Sequence, residues 1–157
     1  MIQVTSELYY AGIIAIRDEA FVQEANKIRV AANLGLAIDN PHMTLLLPSQ
    51  LNAVKEVHGF SNKTAKQWVK TVVAKMPAPP DVGTSLLVQR ADRDDKHTYF
   101  LRVINQDEMQ RYLNILTDFL MIPRVERYFH VSIANNTGKA TDSIADICAD
   151  DCVGLDA

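Results

Sequence analysis

Residues 42–47 read HMTLLL and residues 128–134 read YFHVSIA, and each stretch sets a histidine two positions before a hydroxyl residue, His42 before Thr44 and His130 before Ser132. Both are short apolar runs. The first is preceded by Asp39, Asn40 and Pro41 and stopped by Pro48, which reads as a strand opening at His42. Residues two apart on a strand share a face, so each motif projects an imidazole beside a hydroxyl. The other two histidines, His58 and His97, are followed at the same spacing by Phe60 and Tyr99, so the pairing is no general habit of the chain.

Working outward from these motifs, the same order of elements is found twice. YYAGIIAI at residues 9–16 reads as one buried strand. Phe21, Ala25, Ile28 and Ala32 then recur at helical spacing, with Gly35 as the terminator, before the strand at His42. In the second half HTYFLRVI at residues 97–104 reads as a strand, and Asn105 with Glu108 as a helix-capping pair. Met109, Leu113, Leu116 and Leu120 line one helical face, Pro123 closes that helix, and YFHVSIA follows as the last strand. An offset of 88 carries Ile16 onto Ile104, Phe21 onto Met109, Ala25 onto Leu113, Ile28 onto Leu116, His42 onto His130 and Thr44 onto Ser132. The expectation is a single domain over 1–157 with pseudo-repeats at about 8–47 and 96–135. Between them the sequence predicts a lysine-bearing helix at about 61–75, the breaker stretch PAPPD at 77–81 and a strand near 85–89.

Bulk properties narrow the function. A chain of 157 residues with 48% hydrophobic content can bury one sizeable core. Sixteen basic against nineteen acidic residues leave a net charge of -3, which supplies no global positive field for a long duplex nucleic acid. A small nucleotide or an RNA end suits it better. Cys148 and Cys152 have no histidine close by to complete a zinc-like set and read as free thiols in a reducing compartment. No apolar run approaches the roughly 20 residues of a membrane helix. The expectation is therefore a soluble cytoplasmic protein with no metal, no cofactor and no membrane partner.

A phosphodiester is the substrate that this pair of motifs fits. Attack at phosphorus needs a base on the incoming oxygen and an acid on the leaving oxygen, roughly in line, with donors on the non-bridging oxygens. Two histidines can divide the first two tasks, because an unperturbed pKa of about 6.5 allows one neutral and one protonated ring near neutral pH. Thr44 and Ser132 can supply the donors. Each motif alone is better explained by a strand histidine satisfied by its neighbouring hydroxyl; the symmetric pair is what argues for catalysis.

HMTLLL at His42 and FHVSIAN at Phe129 resemble the two H-x-[ST] signatures of the 2H phosphoesterase superfamily, the LigT-like and cyclic-phosphodiesterase group. The resemblance covers most of the chain. It implies an α+β fold made of a bilobal duplicated unit, with two antiparallel sheets facing a central cleft and helices outside, and metal-independent cleavage of nucleotide phosphodiesters. Substrates of that group include 2',3'-cyclic phosphates, 2'-5' linkages, oligouridine tails and cyclic oligonucleotide signals, the last destroyed by phage anti-CBASS enzymes. The serine of the second motif, the NNTGK turn at 135–139 and the short chain are departures from the commoner pattern, and the compactness is similar to that of viral members, for which the compartment would be the host cytoplasm.

Around the motifs, Thr98, Phe100 and Arg102 share a face of the strand from His97. Arg102 has two readings, a cation in the cleft or a side chain reaching solvent at a sheet edge. Tyr10 is a candidate base-stacking residue, with core packing as the alternative, and Phe100 is a candidate for substrate contact. Asn135, Asn136 and Lys139 either touch substrate or form a turn capped by Gly138. Lys63, Lys66, Lys70 and Lys75 read as a solvated helix face. The leading expectation is an enzyme with His42, Thr44, His130 and Ser132 as catalytic groups and Tyr10, Phe100, Arg102, Asn135 and Lys139 binding substrate. The alternatives are a nucleotide or RNA-end binding module that does not cut, and a purely structural protein.

Overall fold

The computed structural model describes the chain apart from residues 1, 5, 10–12, 17–18, 38–41, 138–142, 145–146, 149–150 and 154–157, and gives only the backbone of several strand residues, His42 among them. The apolar run at 9–16 does not form one strand. Strand β1 (Ile2–Val4) is followed by β2 (Ser6–Tyr9) and β3 (Ile13–Ile16), and Tyr9 pairs with Ile13, so the run divides across a hairpin. Apolar residues on both sides of the division hide it from any periodicity argument, and Gly12 is the only local signal. Helix α1 (Glu19–Ala31) buries Ala25, as its spacing requires. Gly35 lies beyond the helix, past Ala32 to Leu34, and a Cβ there would run into the Asn135 carbonyl. Its glycine is needed for close approach to another strand, not for the helix cap.

After β4 (Leu36–Ala37) and β5 (His42–Thr44), Pro48 opens a helix instead of merely ending a strand. Proline suits the first helical turn because its missing N–H would have no partner there. This helix, α2 (Pro48–His58), was not anticipated; the Leu47 N–H donates to Gln50 Oε1 at 2.8 Å, and Gly59 closes it at φ 68. Helix α3 (Asn62–Lys75) starts where Ser61 accepts from the Thr64 N–H and exposes Lys63, Lys66, Lys70 and Lys75, as the lysine spacing suggested. The strand expected near 85–89 is longer: β6 (Val82–Arg93) turns through Asp94 and Asp95, both at positive φ, into β7 (Lys96–Val103). Helix α4 (Gln106–Leu120) follows, then β8 (His130–Asn135) and β9 (Cys152–Val153). Asn105 does contact Glu108, donating to its Oε1 at 2.8 Å, but its amide oxygen accepts from the Gly83 N–H, tying the start of α4 to β6.

The architecture is α+β. All described strand pairs are antiparallel, and they join in one sheet of order β1-β6-β7-β8-β5-β3-β2, with β4 against β8 and β9 against β6. Two separate sheets facing each other were expected. The described strands instead meet at the β5–β8 junction, because Met43 pairs directly with Val131. One face of the sheet carries all four helices over a core that includes Met43, Leu101, Val103, Leu113, Leu116 and Val131. The other face carries a smaller cluster of Ala91, Phe100, Ile144 and Ile147, so Ile144 and Ile147, which follow β8 in the chain, lie across it. Among the described residues no helix is long and apolar enough to cross a membrane.

Candidate active site

Alternation along β8 sorts its side chains. Val131 and Ile133 enter the helix-side core, which leaves His130 and Ser132 on the opposite face. On β5 the same rule sends Met43 into that core and puts positions 42 and 44 on the His130 side. The printed pair Met43↔Val131 sums to 174, so the antiparallel register carried one residue either way sets 42 opposite 132 and 44 opposite 130. The two motifs thus lie crosswise on neighbouring strands, each histidine position facing the other motif's hydroxyl position. Positions 42 and 130 are diagonal neighbours, and such pairs stand about 7–8 Å apart in antiparallel sheets. The side chain of His42 lies outside the described residues; Thr44 and Ser132 are half-buried and His130 is 6% exposed.

Strand β7 completes this face. Arg102 pairs with His130 and Phe100 with Ser132. Because β7 lies between β6 and β8, Arg102 is not at a sheet edge; it is exposed on the motif side, next to His130. Phe100 shares the face but is fully buried, its ring edge-on to His130 at 5.5 Å and to Tyr128 at 6.5 Å, with Ile144 and Ile147 in the same cluster. An open stacking surface is therefore not what Phe100 provides. It fixes the His130 ring from the side, and apolar contact explains its burial.

Asn135 is likewise buried. Its amide nitrogen donates to Ser143 Oγ at 2.9 Å and its oxygen accepts from the Thr137 N–H at 3.0 Å, the contacts of a turn residue that also holds the following segment. Asn136 donates to the Asp95 carbonyl at 3.1 Å and accepts from the His97 N–H, so it braces the β6–β7 turn. Tyr10 and Lys139 fall outside the described residues. The remaining histidines have structural partners: His58 Nε2 contacts the Leu120 carbonyl at 2.9 Å and His97 Nδ1 contacts Asp92 Oδ1 at 2.8 Å.

Three features of this face were missed in the sequence. The first is the C-terminal segment. Its Ile144 N–H donates to Thr98 Oγ1 at 2.8 Å, Asp151 is ion-paired with Arg93, and β9 pairs with Arg90 and Ala91. The Arg93 hydrogen bond, then the Cys148 N–H, hold the Asp151 carboxyl well below the usual range. Cys148 and Cys152 are free and exposed. The second is Tyr128, two residues before His130. Burial pushes its phenol up, opposed by the nearby Arg102 guanidinium. The third is a pocket of about 480 Å³ lined by Leu47, Gln50, Glu126, Arg127, Tyr128 and Ile147 among others. Alternation counted back from His130 could have flagged Tyr128, whereas nothing local marks Ile144, Ile147 and Asp151 as residues that pack against this face.

Comparison of the chain with protein-family models, with curated proteins and with solved structures finds no match.

Proposed function

We propose that the protein is a metal-independent phosphodiesterase of the 2H type, acting on a nucleotide phosphodiester through His42 and His130. The observation that carries this reading is the crosswise register of the two motifs, which sets both histidine positions and both hydroxyl positions on one face of adjacent strands. A phosphoryl group bridging positions 42 and 130 would have an imidazole on each side of phosphorus. One ring, neutral, takes the proton of the attacking water or hydroxyl; the other, protonated, gives its proton to the leaving oxygen. The P–O bond to the leaving group breaks as the new P–O bond forms, and exchange with solvent returns both rings to their starting states. Thr44 and Ser132 donate to non-bridging oxygens, and the exposed Arg102 guanidinium adds positive charge beside His130.

The order of elements supports a duplicated origin for this arrangement. Hairpin β2–β3, helix α1 and strand β5 are answered by hairpin β6–β7, helix α4 and strand β8, in mirrored order about the β5–β8 junction. The pairing registers differ by one: Ala15↔His42 carried forward by the offset would place residue 103 at His130, where Arg102 stands. In this reading the enzyme works in the cytoplasm on 2',3'-cyclic phosphates or on cyclic oligonucleotide signals, the latter as a viral counter-defence activity.

The test is a screen of cyclic and linear nucleotides with product analysis in the presence of chelator. Turnover with a bell-shaped pH profile is expected, and His42→Ala or His130→Gln should each lower it by roughly 100- to 10,000-fold while the protein stays folded. Full activity in the double variant would remove the proposal. Tight binding with the ligand recovered intact would point instead to a non-cutting nucleotide or RNA-end module.

A further inference from the structure

We infer that the pocket walled by Tyr128 holds a nucleoside flanking the scissile phosphate, so that the substrate is a dinucleotide or longer oligonucleotide, linear or cyclic. The inference rests on the phosphodiesterase reading and deepens it.

Position comes first. Tyr128 is two residues from His130, and its ring meets Phe100, which in turn meets His130, at centroid distances of 6.5 and 5.5 Å. On the other strand Leu47, in the pocket wall, is three residues past Thr44, whose register position faces His130. The pocket therefore borders the Thr44–His130 end of the site. Size comes next: about 480 Å³ falls within the roughly 300–1,000 Å³ of pockets that enclose small ligands. A phosphate held by the motifs needs none of that volume.

The lining then selects the chemistry. Tyr128 is half-buried and held edge-on by Phe100 at 87°, a ring with its orientation already set, which is what base stacking requires. Leu47 and Ile147 supply apolar contact, while Gln50 and Glu126 offer polar groups for the edge of a base. One wall, Ile147, belongs to the C-terminal segment, which is tied to the sheet through Thr98 and Arg93.

Calorimetric titration with a nucleoside 3'-monophosphate and the matching dinucleotide 3'-phosphate tests this without needing turnover. The dinucleotide should bind on the order of tenfold more tightly, and Tyr128→Leu should erase that advantage while Tyr128→Phe keeps it. Equal affinity of the two ligands for the unaltered protein, or an advantage untouched by Tyr128→Leu, overturns the inference. Should Tyr128→Leu fail to fold, the exposed Glu126→Arg decides: the advantage should change severalfold with the second base, and an unchanged advantage overturns the inference. Cleavage of the dinucleotide 2',3'-cyclic phosphate and of a cyclic dinucleotide is measured alongside. A Tyr128-dependent advantage with no cleavage of any nucleotide would sink the phosphodiesterase reading and leave a dinucleotide-binding pocket; cleavage without the advantage would do the reverse.

Discussion

The two faces of the sheet are built from alternate residues of the same strands, and they differ in what covers them. On the helix side, four helices bury Met43, Leu101, Val103, Val131 and their partners in one continuous core. On the motif side, a short cluster of Ala91, Phe100, Ile144 and Ile147 covers part of the sheet and leaves Arg102 exposed beside His130. Burial by rigid helices stabilises the first face. Partial cover by a segment held through a few polar contacts leaves the second open to a ligand, and it is there that the chemistry-bearing residues lie.

Leu101 and Arg102 are neighbours on β7 facing opposite ways, so they give the sharpest contrast. Leu101→Ala should cost about 2–5 kcal/mol in denaturant unfolding, because it empties a fully buried site among helices, and should leave activity per folded molecule intact. Arg102→Ala should keep stability within about 0.5 kcal/mol. It should lower kcat/KM by roughly 10- to 100-fold, the value of a charge-assisted hydrogen bond to phosphate. Equal stability losses would mean that the faces are not distinct.

A smaller effect is expected at Tyr112, on the helix side, whose hydroxyl donates to the Pro77 carbonyl at 2.7 Å. Burial pushes this phenol up to about 12 from 10.0. The folded state favours the neutral form, so its contribution is complete below about pH 10 and is lost as pH rises toward 12. Tyr112→Phe should cost about 0.5–1.5 kcal/mol at neutral pH and flatten the alkaline decline of stability. A decline of the same slope in the variant would assign it elsewhere.

The smallest effect concerns the cover itself. The Asp151 carboxyl is held below its ordinary 3.8 by Arg93, so its contribution is full above about pH 4 and fades as pH falls below that. Asp151→Asn should speed amide exchange at Cys152 and Val153 near neutral pH with little change in global stability. The difference from the unaltered protein should shrink in acid, where the native carboxyl is also protonated. Protection unchanged at neutral pH would mean that the ion pair does not hold the segment.

Much of this was legible in the chain. Helical periodicity located α1, α3 and α4, and the paired motifs fell in strands as their alternation required. Helix α2 was hidden because Pro48 is both a strand breaker and a favourable first helical residue, and the signal for one looks like the signal for the other. The hairpin that divides residues 9–16 was hidden because the paired residues nearest its turn, Leu8, Tyr9, Ile13 and Ile14, are all apolar.

By itself the sequence determined helices α1, α3 and α4, the strands that carry the motifs and the types of residue at them, since these follow from local patterning and side-chain chemistry. Only the tertiary structure decided that β5 pairs with β8, that Phe100 is covered while Arg102 is not, and that Tyr128 walls a pocket. The physical reason is that strand pairing and burial are set by contacts between residues distant in the chain. Alternation says which residues share a face, but not what will come to rest against it.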